Sequence, residues 1–304
     1  MSSKPLISIL MNCFNGERYL RQAIESVLLQ TFGDWELLFW DNQSTDKSAE
    51  IVENYTDTRI RYFRSQEHTT LGEARELARG CIRGKWLTVL DVDDYWLPEN
   101  LESRASVAIE SDVGLIYSRY VVDRTLVSES SFVMPLRRRL SQGQIYSDLT
   151  EKNFIGFHTA LYRADAVESV GGFRPLPYSS DYDLNLRIAQ KWPVKAVDQV
   201  VAVYRIHGKN RSVTEAKDML DERAILISQM PADRKVYAWS GFFVDCLRAT
   251  RLSAESIAIF QKGASIGLIL LICFKRLTRY ISYCLSAIRK YHRGITRQIV
   301  GTSS

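Results

Sequence analysis

The chain has little of what builds covalent or metal frameworks. Its five cysteines, Cys13, Cys81, Cys246, Cys273 and Cys284, are odd in number, scattered and without a CxxC pair, so neither a disulfide scaffold nor a zinc site is suggested. A reducing, cytosolic setting is expected. The opening "MSSKPLISIL" carries one lysine and a very short apolar run before the polar "NCFNGER", which is not the pattern of a signal peptide. Repeats and low-complexity segments are absent. What remains is an ordinary globular composition, 46% hydrophobic and 25% charged over 304 residues, enough to bury a substantial core.

Acidic residues are missing after Glu255, whereas Lys262, Lys275, Arg276, Arg279, Arg289, Lys290, Arg293 and Arg297 follow it. Residues 256–304 therefore carry +8 and residues 1–255 the balance of −3 within the net +5. The basic residues are interleaved with the apolar run "ASIGLILLICF" at 264–274, about half the ~20 residues that span a bilayer. Two readings stand: a helix lying on an anionic membrane surface, or a helix packed on its own domain with a basic outer face. Nucleic acid is not expected as a partner.

The first hundred residues alternate strand and helix patterns. "LISILMN" (6–12), "ELLFW" (36–40), "IRYFR" (60–64) and "KWLTVL" (85–90) read as strands. Between them, Tyr19, Leu20, Ala23, Ile24, Val27 and Leu28 mark one apolar helix face, Ala49 to Tyr55 a second helix and residues 71–82 a third. Strands separated by helices imply a mostly parallel central sheet with helices on both faces, an α/β fold. In such sheets ligands bind beyond the carboxyl ends of the strands. Three of those ends carry reactive residues: Asn12 to Asn15, Asp41-Asn42, and Asp91 to Asp94. Further on, "VGLIYSRYVV" reads as a strand, "RRRLSQGQIYSD" as an irregular basic loop, and "SSDYDLNLRIAQKW" as a helix opening at or just after Asp181. "PVKAVDQVVAVYRIH" is the last strand, and beyond residue 214 the chain reads as helical. Asn15 is expected to cap the helix that begins near Glu17.

In "LDVDDYW" (90–96), three carboxylates crowd into four residues after a buried strand. Like charges so close repel unless a cation or hydrogen-bond donors compensate them, and Mn2+ or Mg2+ is held by one or two carboxylates plus phosphate oxygens. Taken alone, the cluster reads first as a solvated acidic turn. Its surroundings decide. "ISILMNCFNGERYLRQAIESVLLQTFGDWELLFWDNQSTD" and "LGEARELARGCIRGKWLTVLDVDDYWLPENL", then "SSDYDLNLRIA" and "VYRIHGKNRS", resemble family 2 inverting glycosyltransferases of the GT-A fold in matching order and spacing over roughly residues 5–212.

The resemblance implies a site. Asp91, Asp93 and Asp94 stand as the DxD-type motif, with Asp93 near the donor ribose and the cation, Asp94 the favoured direct ligand and Asp91 in support. Asn12 and Phe14 match positions that meet the nucleobase, and Asp41-Asn42 an acidic pair that reads its edge. Here an amide replaces the second carboxylate, and an amide donates as well as accepts. Arg75 matches a basic position near ribose or diphosphate, and Phe14 and Arg75 are each equally readable as a core aromatic and an exposed helix residue. His207 matches a position that meets the metal or the diphosphate. Asp181 matches the general base, with Ser180 in place of the usual glutamate before it.

The domain reading is a GT-A domain over 1–213, its nucleotide-sugar half at 1–100 and acceptor half at 101–213, followed by a helical basic region over 214–304. The expected activity is metal-dependent inverting transfer of a sugar from a nucleoside diphosphate donor, UDP favoured, to a hydroxyl of a glycan or lipid-linked acceptor in cell-surface polysaccharide assembly. It is expected in the cytoplasm or at the inner face of its membrane. A sugar nucleotidyltransferase would want a Gly-rich basic loop after the first strand, which "NCFNGERY" lacks. A non-catalytic nucleotide-sugar or membrane-surface binder would not need Asp181 with the aspartate cluster.

Overall fold

The computed structural model describes residues 4–235 except 129 and 137, together with Ala238. Strand β1 (Ile7–Cys13) leads into helix α1 (Glu17–Leu28), and the alternation continues with β2 (Trp35–Asp41), α2 (Ser48–Glu53), β3 (Ile60–Arg64), α3 (Leu71–Arg79) and β4 (Trp86–Val89). A two-residue strand β5 (Tyr95–Trp96) and helix α4 (Asn100–Glu110) follow, then β6 (Leu115–Asp123), β7 (Phe132–Met134), α5 (Tyr146–Glu151), β8 (Leu161–Arg163) and α6 (Ala164–Ser169). Helix α7 (Ser180–Lys191), strand β9 (Val194–Arg205), and helices α8 (Arg211–Thr214) and α9 (Ala216–Gln229) close the described part.

The strands form one sheet in the order β3-β2-β1-β4-β8-β6-β9-β5, with β7 attached to β6. Its first four strands run parallel, as does the β6–β9 pair. Antiparallel pairings bring in β8, β7 and β5. Strand β1 is buried on both faces, which is why it reads as a continuous apolar run. Ile7, Ile9, Met11 and Cys13 share a core with Leu20, Ala23, Ile24 and Val27 of α1 and Leu101, Ala105 and Ala108 of α4. Helix α3 lies against β1 and β2, with Ala74 and Ala78 fully buried. Thr70 and Glu73 close a capping box that starts α3, fixing the direction from which Arg75 projects.

Three local expectations need correction. Asn15 does not cap α1: it sits in the left-handed region with φ of 54°, its Oδ1 accepting from the Thr45 amide at 2.8 Å. The next loop caps α1 instead, since Asp46 accepts the Glu17 amide and Ser48 the Gly16 amide, each at 3.0 Å. Helix α7 opens at Ser180, one residue before Asp181. The stretch read as an irregular basic loop runs into α5, whose first residues are Tyr146 to Asp148. Of the region expected to be helical beyond residue 214, α9 is described. The charged stretch 256–304 lies outside the described residues. Among the described residues no helix is long and apolar enough to cross a membrane.

Candidate active site

The carboxyl ends of β1, β2 and β4 converge because these strands are parallel neighbours in register, Cys13 beside Asp41. Gly16 permits a close approach: a Cβ there would lie 2.9 Å from both Cys13 Sγ and a methyl of Val92, inside the aspartate cluster. The β1 loop and the aspartate loop thus pack against each other.

At one end of the site, Phe14 stands 51% exposed with its ring centroid 4.2 Å from that of His68. His68 Nδ1 lies 2.9 Å from the Asn42 carbonyl oxygen. The Asn42 side chain donates to the Thr69 carbonyl at 2.8 Å, tying the 68–69 loop to the end of β2. Asp41 is fully buried, with Oδ1 accepting the Ser44 amide at 2.7 Å and Oδ2 the Tyr62 hydroxyl at 2.8 Å and Arg64 at 3.2 Å. Both residues of the expected base-reading pair are thereby engaged by the protein. Asn12 differs: it is buried, yet neither its Oδ1 nor its Nδ2 has a protein partner. A buried amide left this way is a group held for a ligand or water.

At the other end, the three aspartates have different surroundings. The side chains of Asp91 and Asp93 are 35% and 29% exposed, that of Asp94 only 1%. Asp94 points inward, its Oδ1 accepting the Arg205 amide at 3.0 Å and its Oδ2 3.4 Å from Nδ1 of the buried His158. Burial, reinforced by Asp93 and Asp91, holds the Asp94 carboxyl well above the usual range, and burial pushes His158 down to about 4, leaving it neutral. Asp93 faces His207, Oδ2 to Nε2 3.1 Å. Burial and the Asp91 charge raise its pKa, while His207 opposes them. Asn210 braces the pair, accepting the His207 amide at 2.7 Å and donating to the Arg205 carbonyl at 2.7 Å, with Nδ2 3.4 Å from Asp93 Oδ2. The Tyr19 ring stacks on His207 with centroids 5.0 Å apart.

Arg75 joins the aspartate cluster to α7. Its guanidinium donates to Asp91 Oδ1 at 3.1 Å and to Ser180 Oγ at 2.9 Å, and lies 4.3 Å from the Phe157 ring centroid. It is buried. Asp181 follows Ser180, and burial raises its pKa against the pull of the Arg75 charge. Asp183 is spent on an ion network with Arg187 and Arg174. The backbone before Asp181 is held from two sides. Glu222 of α9 accepts the Tyr178 amide at 3.1 Å and also the Ser179 amide. Gly72 of α3 lets the 174–176 segment lie on it, since a Cβ would meet the Arg174 oxygen at 2.4 Å.

The structure therefore gathers Arg75, Asp91, Asp93, His207 and the Ser180-Asp181 turn in one group, and Asn12, Phe14, Asp41 and Asn42 in another. His68, Tyr19, Asn210 and Glu222 are additions that sequence reading passed over. Tyr19 was hidden in an apolar helix face, Asn210 was visible only as part of "HGKNRS", and His68 and Glu222 gave no signal. Among the described residues no group of three or more His, Cys, Asp or Glu side chains forms a metal cage. A cation that also binds phosphate oxygens needs fewer protein ligands. A carboxylate and an imidazole facing each other, with excess negative charge beside them, fit that requirement.

Comparison with known proteins bears on the family and the fold. The model described as glycosyl transferase family 2 matches residues 8–171. The chain is 26% identical over 216 residues, 70% of its length and 82% of the other, to the Escherichia coli UDP-Glc:alpha-D-GlcNAc-diphosphoundecaprenol beta-1,3-glucosyltransferase WfgD. It is 28% identical to E. coli chondroitin synthase over 69% of this chain and 30% of that longer one. In fold it is similar to the mannosyltransferase PcManGT from Pyrobaculum calidifontis in complex with GDP-Man and Mn2+, at a TM-score of 0.62 and 16% identity, covering 94% of this chain and 84% of that one. S. aureus TarS gives a TM-score of 0.59 at 16% identity, over 78% of this chain and 42% of that one.

Proposed function

The chain belongs to glycosyl transferase family 2, and from that premise we propose that it moves a sugar, with inversion, from a UDP-sugar to a hydroxyl of a glycan or lipid-linked acceptor in bacterial cell-surface polysaccharide assembly. The observation that carries this reading is the Arg75 bridge, one buried guanidinium bonded to Asp91 on the donor side and to Ser180, the residue before the base. It supports the reading by tying the aspartate cluster to the start of the helix that carries Asp181. UDP is favoured by the name of the E. coli relative.

In this reading Asn12 and Phe14 contact the base, while Asp41 and Asn42 shape its pocket through their hold on Tyr62, Thr69 and His68. Asp91 and Asp93 lie beside ribose and diphosphate. Asp93 and His207 hold Mn2+ or Mg2+, with Asp94 behind them as the inward anchor to β9. When bound, the cation neutralises the charge that grows on the departing nucleoside diphosphate. Asp181 accepts the proton of the acceptor hydroxyl as its oxygen attacks the anomeric carbon from the face opposite the leaving group. The raised Asp181 pKa makes it the stronger base. The proton ends on Asp181 and the electron pair of the broken C–O bond on the diphosphate.

Incubating the purified chain with UDP-, GDP- and dTDP-sugars, Mn2+ and a lipid-linked acceptor, with NMR of the new anomeric centre, tests the reading. Inverted product from a UDP-sugar is expected. Retained configuration, or conversion of the nucleotide-sugar and added pyrophosphate to nucleoside triphosphate and sugar 1-phosphate, would replace it.

A further inference from the structure

The β6–β7 hairpin carries apolar side chains that the fold leaves in solvent: Leu126 at 54%, Val127 at 49%, Phe132 at 39%, Val133 at 38% and Leu136 at 77% exposed. Phe132 and Val133 are neighbours on β7, so their side chains leave opposite faces of the strand. The hairpin is thus apolar on both faces. Its base is well held. Val122 pairs with Phe132 and Tyr120 with Met134, Arg119 donates to the Pro135 carbonyl at 2.7 Å, and Asp123 accepts the Thr125 amide at 2.9 Å.

Residues 124–139 also contain four arginines against a single glutamate, and Arg124, Arg138 and Arg139 are exposed. The hairpin stands at the edge of the site. A Cβ on Gly208, next to His207, would lie 4.0 Å from a methyl of Val127, and the Ile206 amide donates to the Asp123 carbonyl at 2.8 Å.

We propose that this hairpin docks on the surface of an anionic phospholipid bilayer, its apolar tip entering the headgroup boundary and its arginines meeting lipid phosphates. A protein partner that covered one face of the hairpin would leave the other wet. A bilayer interface surrounds whatever enters it, so both faces gain. Exposed apolar side chains rimmed by arginine are the composition such a surface attracts. Docking there sets the mouth of the site, at Gly208, against the membrane. The inference stands apart from the transfer reaction, because it is read without donor or acceptor.

The test uses the full chain with vesicles of phosphatidylcholine alone or mixed with phosphatidylglycerol, followed by sedimentation and by hydrogen–deuterium exchange. Sedimentation with the anionic vesicles is expected, together with slowed exchange of amides 124–136. Arg138→Ala with Arg139→Ala should weaken binding by about 25-fold, about fivefold per basic residue at an anionic surface. Leu126→Ser with Leu136→Ser should remove the exchange protection. The proposal is overturned if the hairpin amides exchange equally with and without vesicles, or if protection is confined to residues after 235. It is also overturned if protection appears without vesicles and rises with protein concentration, which would make a second copy of the chain the partner.

Discussion

Nε2 of His207 lies 3.1 Å from Oδ2 of Asp93, although 114 residues separate them in the chain. Strand β9 delivers His207 to the loop after β4, because β5 pairs with β9 next to the aspartate cluster, Tyr95 opposite Val203. Asn210 then closes the turn with hydrogen bonds to both ends. The result is a carboxylate oxygen and an imidazole nitrogen facing each other.

That donor pair has a consequence for the metal. Mn2+ accepts imidazole more readily than Mg2+, which prefers an all-oxygen shell. Turnover is expected to be higher with Mn2+ than with Mg2+, and His207→Asp should narrow that ratio. Asn210→Ala, which removes the brace and leaves both ligands in place, should weaken cation affinity by about 10- to 100-fold. Rate at saturating Mn2+ should stay near that of the parent. A cation titration at fixed donor separates these outcomes, and an unchanged Mn2+ midpoint in Asn210→Ala would remove the bracing role.

As the proposed base, Asp181 should set the acid limb of the pH profile. A general base works only when ionised, and burial raises the pKa of this carboxyl above its ordinary value. Activity should therefore be full above that raised value and fall as pH drops through it. The Arg75 charge acts in the opposite sense, lowering the Asp181 pKa. Arg75→Met should move the acid limb to higher pH, whereas Asp181→Asn should cost about 100- to 10,000-fold in kcat and erase the limb. Profiles of kcat against pH for the three proteins check both signs, and a limb that stays put in Arg75→Met would sink the coupling.

The parallel half of the sheet was legible in the sequence because β1, β2 and β4 are largely apolar runs ending in polar residues, with the mixed β3 following at the spacing of the alternation. Asp181, Asp93 and His207 were legible as types at strand and helix ends. The orientation of neighbours in one turn was not. Asp93 and Asp94 are adjacent and chemically identical, yet the backbone turns one toward His207 and the other toward the Arg205 amide. Only the pairing of β5 with β9 decides this, and a two-residue strand leaves no periodic trace. Strand β7, with three residues, leaves little more. The Asn15 cap failed for a related reason: a distant loop, 42–48, supplies the capping groups.

At the proposed nucleobase end, exposure should make loss of the aromatic pair harmless to folding and costly for donor binding. Phe14 is half in solvent, so its removal opens no cavity. An aromatic ring stacked on a base is worth about 1–3 kcal/mol. Phe14→Ala should raise the donor KM by about 5- to 150-fold with the melting temperature unchanged, and His68→Ala should do so more weakly. Isothermal titration with UDP and no acceptor reads the binding directly. Unchanged affinity in Phe14→Ala would move the base elsewhere.

Gly72 ties the base to α3 through backbone alone. A Cβ at this position would meet the Arg174 oxygen at 2.4 Å, the Leu176 oxygen at 2.6 Å and the Leu176 nitrogen at 2.7 Å, none of which can swing aside as a side-chain tip would. Gly72→Ala must push the 174–176 segment outward. Overpacking of this kind costs about 1–3 kcal/mol of stability. The larger effect should fall on catalysis, since that segment leads through Ser179 into Asp181, the proposed base, while the proposed nucleobase contacts lie at the ends of β1 and β2. A base displaced by even about 1 Å can cost about 100-fold. Gly72→Ala is thus expected to lower kcat far more than its loss of stability accounts for, with donor KM little changed. Glu222→Gln is its companion, because it weakens the hold on the Tyr178 and Ser179 amides from the opposite side without touching α3. Steady-state kinetics of both variants beside their melting curves give the answer: a loss confined to donor KM would show that the 174–179 segment serves the donor rather than the base.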